Sequence, residues 1–125
     1  MITAVHFVTV NVADQERAKR FYSDVLGLDL LTDVPMGEPD GSKWIELRPP
    51  GAQTRIVLNH DPRRTGQMAP FVLTTDDIVA TCRQLADAGV EIVDEAAIAP
   101  WGSWWAQIKD SEGNSIGLTQ TEDGD

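Results

Sequence analysis

Leu26-Gly27-Leu28-Asp29-Leu30 closes a helical pattern that begins at Asp14, and Ala88-Gly89-Val90-Glu91-Ile92 closes another that begins at Asp76. These two stretches decide the fold, because they say the same thing twice. Each acid stands thirteen residues ahead of its glycine, and an apolar–acidic–apolar strand start follows each glycine. Further out, Gly41-Ser42-Lys43-Trp44-Ile45-Glu46-Leu47-Arg48 is echoed by Gly102-Ser103-Trp104-Trp105-Ala106-Gln107-Ile108-Lys109. The closing runs repeat as well, as Arg55-Ile56-Val57-Leu58-Asn59 and Asn114-Ser115-Ile116-Gly117-Leu118-Thr119. An offset of sixty-two residues implies two fused modules rather than a solenoid of short units. A module too small to bury its sheet alone is expected to bury it with its copy, leaving a cleft.

Within the first module, Thr3–Val12 alternates as a strand, with Val8, Val10 and Val12 on one face and Phe7, Thr9 and Asn11 on the other. Asp14 suits a helix N-cap. Ala18, Phe21, Tyr22, Val25 and Leu26 then form an apolar helix stripe, which Gly27 ends in a left-handed conformation. Strands follow at Leu28–Val34, Lys43–Arg48 and Thr54–Asn59, separated by the Pro35–Gly41 loop and the Pro49-Pro50-Gly51 turn. The second module runs in the same order: strand Pro70–Thr75, helix Asp77–Ala88, then strands near Val90–Asp94, Trp104–Lys109 and Ser115–Gln120. The expected fold is α+β: tandem βαβββ modules forming a curved mixed sheet with a central cleft and outer helices. It is read as a single domain over 1–125, with module one at 3–60, a linker at 60–67, module two at 68–120 and a frayed tail at 121–125.

Composition narrows the function. The net charge of −10 repels phosphate backbones and anionic lipid, so neither nucleic acid nor membrane is an expected partner. No stretch approaches the roughly 20 apolar residues that span a bilayer, and the opening residues lack the basic, apolar, small-residue pattern of a leader, so secretion by that route is not expected. Cys82, the single cysteine, is read as a small buried apolar residue and fits a reducing, cytoplasmic setting. Neither a nucleophile elbow, a phosphate loop nor a dinucleotide fingerprint is present.

Alternation sends Phe7, Thr9, Asn11, Arg55, Val57, Asn59, Ser115, Gly117 and Thr119 to the face away from the helices. Phe7, Val57 and Gly117 suit open water poorly, so this face is read as lining the cleft. Trp44 pairs with Trp105 in the repeat, and Glu46 with Gln107. The expected ligand-binding residues are therefore Phe7, Asn11, Trp44, Glu46, Arg55, Asn59, Trp105 and Gln107, with indoles to stack on flat or cationic groups. A bulge near Trp104-Trp105 would exchange the roles of those two tryptophans. Glu46 is open to two readings. It is either a general base whose pKa is raised beside Trp44, or one half of an ion pair with Arg48 or Arg55.

Val10-Asn11-Val12-Ala13-Asp14, Phe21-Tyr22 and Leu26-Gly27-Leu28 resemble the opening of glyoxalase/bleomycin-resistance/extradiol-dioxygenase proteins, the vicinal oxygen chelate superfamily. Asp110-Ser111-Glu112-Gly113-Asn114 is similar to that family's closing turn, with Ser111 in place of a proline. The likeness spans nearly the whole chain. It implies one divalent metal held by His and Glu from four strand positions, and those positions here are Phe7, Val57, Pro70 and Gly117. None can supply a donor at about 2.0–2.2 Å, and His6 and His60 fall off the cleft face by parity, so no metal and no cofactor is expected. Pro100-Trp101-Gly102 resembles the matching stretch of bleomycin-family antibiotic-binding proteins, which are acidic, dimeric and sequester a drug without metal chemistry. The resemblance thus implies a metal-independent, homodimeric small-molecule-binding protein that sequesters an antibiotic or metabolite. The alternative is a metal-free isomerase or lyase using Glu46 as acid or base.

Overall fold

The computed structural model describes residues 1–121, so most of the tail expected to fray lies outside the described residues. The chain divides into two compact units, Met1–Thr65 and one that begins at Gly66. The first holds β1 (Phe7–Val12), α1 (Gln15–Arg20), a π-helical turn (Phe21–Val25), β2 (Asp29–Pro35), β3 (Lys43–Arg48), β4 (Arg55–His60) and a 3-10 turn at Pro62–Arg64. The second holds β5 (Met68–Thr75), α2 (Ile78–Asp87), β6 (Ile92–Ile98), β7 (Trp104–Lys109) and β8 (Ser115–Gln120). Strand order is β1-β4-β3-β2 in one sheet and β5-β8-β7-β6 in the other. Each sheet is mixed: the first and last strands of the unit pair in parallel and the remaining pairs are antiparallel. The order βαβββ therefore occurs twice, as the repeat implied.

Local chemistry explains the helices. Asp14 caps α1 by accepting from the Arg17 backbone N–H at 3.0 Å, satisfying an otherwise orphaned donor. In the second unit the cap is Asp77, which accepts from the Ala80 N–H at 3.0 Å, and not Asp76. The first helix also departs from the expected regular pattern. Leu26 N–H reaches back five residues to the Phe21 carbonyl at 3.0 Å, so its last turn is π rather than α. Gly27 at φ +79° then lets the chain reverse into β2.

One side of each sheet is the core. In the first unit Val10, Val12, Ile45, Leu47, Ile56 and Leu58 are buried with Ala18 and Tyr22 of the helical segment. Gln15 fastens the helix to the sheet: its Nε2 donates to the carbonyls of Lys43 (2.8 Å) and Leu58 (2.9 Å), and its Oε1 accepts from the Lys43 N–H (2.9 Å). In the second unit Ala106, Ile108, Ile116 and Leu118 are buried with Ile78, Cys82 and Leu85 of α2. Asp110 and Asn114 build the turn before β8. Asp110 Oδ1 accepts from the N–H groups of Glu112 (2.8 Å) and Asn114 (2.9 Å), and Asn114 Oδ1 accepts from the Gly66 N–H (2.8 Å).

Strand limits differ from the sequence reading where side chains do not govern pairing. β1 starts at Phe7 rather than Thr3, and β6 runs on to Ile98 through two register shifts. The ladder between β5 and β8 shifts between Met68 and Val72. Pro70 lies in that interval, and a proline has no N–H to give to a ladder.

Candidate functional site

On the helix-free face of the first sheet, register alone brings together residues distant in sequence. β1 and β4 run in parallel with Phe7 beside Arg55, Thr9 beside Val57 and Asn11 beside Asn59. β3 runs antiparallel to β4 with Glu46 beside Val57. Because residues two apart share a face, Trp44, Glu46 and Arg48 project to the same side. The side chains then close into a cluster. Phe7 packs edge-on against Trp44, with ring centroids 5.6 Å apart and planes at 87°. Trp44 Nε1 donates to Glu46 Oε1 at 2.9 Å, and Arg55 Nη1 donates to Glu46 Oε2 at 3.1 Å.

The Glu46 side chain is only 10% exposed, so its charge needs these donors. Burial pushes its carboxyl pKa up. The bonds from Trp44, Arg55 and Thr32, together with the Arg55 charge, outweigh burial and hold it below the ordinary carboxylate value. The raised pKa considered for a general base is therefore corrected: Glu46 is an anion held in place, and its partner is Arg55 rather than Arg48. Thr32 was not found from sequence. It reaches the Glu46 position only because β2 shifts register between Leu30 and Thr32.

Asn59 Nδ2 donates to Asn11 Oδ1 at 3.0 Å, so these two amides bind one another on the same face. Phe7 keeps 39% of its surface exposed, which leaves an aromatic edge beside the Glu46–Arg55 pair.

In the second unit Gln107 lies beside Gly117, and alternation puts Trp105 on that face too. The indole of Trp105 lies over Gly117. A Cβ built there would fall 2.9 Å from Trp105 Cζ3 and 3.0 Å from Cζ2, and still nearer Cη2. Trp101 packs edge-on against Trp105 at 5.7 Å and 74°, and is itself 65% exposed. Trp104 sits on the opposite side of β7, and its carbonyl accepts from the Thr119 hydroxyl at 2.9 Å.

The residues at the four family positions do not fit a divalent metal. Phe7 and Val57 end in hydrocarbon, Pro70 has neither a side-chain donor nor an N–H, and the space at Gly117 is filled by indole. Among the described residues no group of three His, Cys, Asp or Glu side chains converges elsewhere. Among the same residues no helix is long and apolar enough to cross a membrane.

Comparison with known proteins agrees with the fold. The chain belongs to the Glyoxalase/Bleomycin resistance protein/Dioxygenase superfamily, whose family model matches residues 4–118. Protein YetH of Bacillus subtilis (strain 168) is 38% identical over 117 residues, covering 91% of this chain and 95% of that protein. The crystal structure of a superfamily member from Sphaerobacter thermophilus DSM 20745 superposes with a TM-score of 0.86 at 31% identity, covering 96% of this chain and 98% of that one. That of TnmS3, an antibiotic binding protein from Streptomyces sp. CB03234, gives 0.83 at 38% identity, covering 97% and 98%.

Proposed function

We propose that this superfamily member is a metal-independent small-molecule-binding protein that sequesters an antibiotic or metabolite. One observation carries the reading: each unit presents aromatic surface on its helix-free face, where the superfamily's metal ligands would stand. Phe7 and Trp44 form that surface in one unit, Trp101 and Trp105 in the other. Flat ligands stack on such rings, while Glu46, Arg55 and Gln107 supply orienting polar groups. The similarity to an antibiotic binding protein at 38% identity supports the same reading. An isomerase or lyase mechanism through Glu46 is disfavoured, because both carboxylate oxygens already accept hydrogen bonds and the pKa is lowered.

The protein acts as a cytoplasmic homodimer in this proposal. β2 stands at the end of its sheet and exposes Leu30, Leu31 and Val34, an apolar edge suited to a second copy. Light scattering at micromolar concentration reads the mass directly, and a monomer would remove that part.

Binding is tested by titrating tryptophan emission with bleomycin and a panel of planar aromatic antibiotics, with and without EDTA. The expected result is saturable quenching by at least one compound, unaffected by chelator, with the compound recovered chemically unchanged. Affinity that disappears with EDTA and returns with Zn or Ni would overturn metal independence, and conversion of the compound would overturn sequestration.

A further inference from the structure

β2 contributes nothing to the apolar core of its unit. None of its residues is buried, and Leu30, Leu31 and Val34 are exposed. Its ladder to β3 shifts register between Leu30 and Thr32. What reaches inward from β2 is a charge. Asp33 pairs with Ile45, whose side chain is fully buried on the helix side, so the Asp33 carboxylate turns toward α1.

There it closes a ring of ion pairs. Asp33 Oδ2 lies 2.7 Å from Lys19 Nζ, and Asp33 Oδ1 lies 2.8 Å from Lys43 Nζ. Glu16 completes the ring, with Oε2 2.8 Å from Lys19 Nζ and Oε1 3.2 Å from Lys43 Nζ. Two acids and two amines from α1, β2 and β3 neutralise one another, and each carboxylate oxygen has its own ammonium partner. The Asp33 side chain is 18% exposed, and its buried Oδ1 has no hydrogen bond, so the Lys43 charge answers it. A lone surface pair contributes little, but a network partly shielded from water contributes more.

The second unit has no such ring. Sixty-two residues on from Glu16, Lys19 and Asp33 stand Ile78, Thr81 and Glu95, and Trp104 takes the place of Lys43 in the echoed strand. β6 ends its sheet as β2 does and also carries no buried residue. The βαβββ order therefore forms without the ring, which is an addition peculiar to β2.

We propose that β2 is a latched edge strand: the Glu16–Lys19–Asp33–Lys43 ring fastens it to α1, and screening or removing one of these charges lets β2 detach while β1, β4 and β3 stay folded. Detachment takes Thr32 away from Glu46 and uncovers the flank of Trp44, to which Val34 is paired. The latch thus governs one side of the helix-free face, whatever that face binds. Lys19 and Lys43 hold the Asp33 carboxyl below the ordinary carboxylate value, and Asp33 and Glu16 hold both amines above theirs. The ring stays charged through the neutral range, so ionic strength rather than pH releases it.

The test is hydrogen exchange read by mass spectrometry on the full chain at neutral pH. The wild type, Asp33→Asn and Lys43→Gln are compared at low salt and in about 1 M NaCl, where charges are screened within roughly 3 Å. At low salt Asp33→Asn should exchange its β2 amides about tenfold faster, a local opening easier by about 1.4 kcal/mol. Lys43→Gln should act in the same direction and less strongly, because the Lys19–Asp33 pair remains. High salt should speed β2 in the wild type and change it little in Asp33→Asn, with β4 and β6 unaffected throughout. Exchange of β2 in Asp33→Asn within about twofold of the wild type overturns the latch. So does acceleration spread evenly over β1, β3 and β4, which would make the ring a support of the whole unit, and so does a salt response in β6 equal to that in β2. Should Asp33→Asn not fold, Lys43→Gln and the wild-type salt series decide by the same criteria.

Discussion

Replacing Glu46 by Gln removes the carboxylate that organises the first unit's helix-free face while keeping its shape. The amide oxygen can still accept from Trp44 Nε1, so that bond survives. The amide nitrogen then faces Arg55 Nη1, donor against donor, where a 3.1 Å ion pair had been. A hydrogen bond to a charged group contributes about 1.5–3 kcal/mol. Arg55 is 32% exposed and recovers some hydration when released, so the expected loss is about 2 kcal/mol. For a chain of this size that lowers Tm by about 8 °C. The pH dependence follows from the lowered pKa of Glu46. Its stabilisation is fully present above the unfolded value of about 4.3, and is lost as pH falls through the lower folded value. The gap between wild type and Glu46→Gln should therefore be widest near neutrality and close on acidification below about pH 4. Urea unfolding at pH 7 and pH 3 measures both. A gap under about 0.5 kcal/mol at pH 7, or one that does not narrow at pH 3, would refute the view of Glu46 as a bound anion.

Other substitutions probe other parts of the structure. Gln15→Ala strips partners from the Lys43 N–H and from the Lys43 and Leu58 carbonyls, and should destabilise the protein by about 2–4 kcal/mol in urea unfolding. Gln15→Glu, which keeps the acceptor and loses the donors, should recover little. Gly117→Ala places a methyl group on the Trp105 indole, and should cost about 1–3 kcal/mol or swing the ring away. Near-UV circular dichroism and Tm would register one or the other, and a variant unchanged in both would contradict the packing. Trp105→Ala should weaken binding of a verified aromatic ligand by roughly tenfold while the protein stays folded. Unchanged affinity, measured by calorimetry, would remove Trp105 from the site.

What the sequence determined by itself is what short-range rules encode. Strand alternation placed Phe7, Trp44, Glu46 and Arg55 on a common face, and helical spacing with Asp14 and Gly27 marked the first helix and its end. The repeat established βαβββ twice, and residue chemistry alone showed that Phe7, Val57, Pro70 and Gly117 carry no metal donors. Tertiary structure decided the rest, because it depends on register between strands and on the shape of neighbours. Glu46 had two arginines to choose from, and the ladders delivered Arg55 to it while setting Arg48 opposite Asp29 of β2. Thr32 joined the cluster through an irregularity in β2 that no periodicity announces. Trp105 lies over Gly117 because a missing side chain on one strand makes room for an indole from the next. Such a fit is a property of two surfaces in contact, and neither stretch of sequence contains it alone.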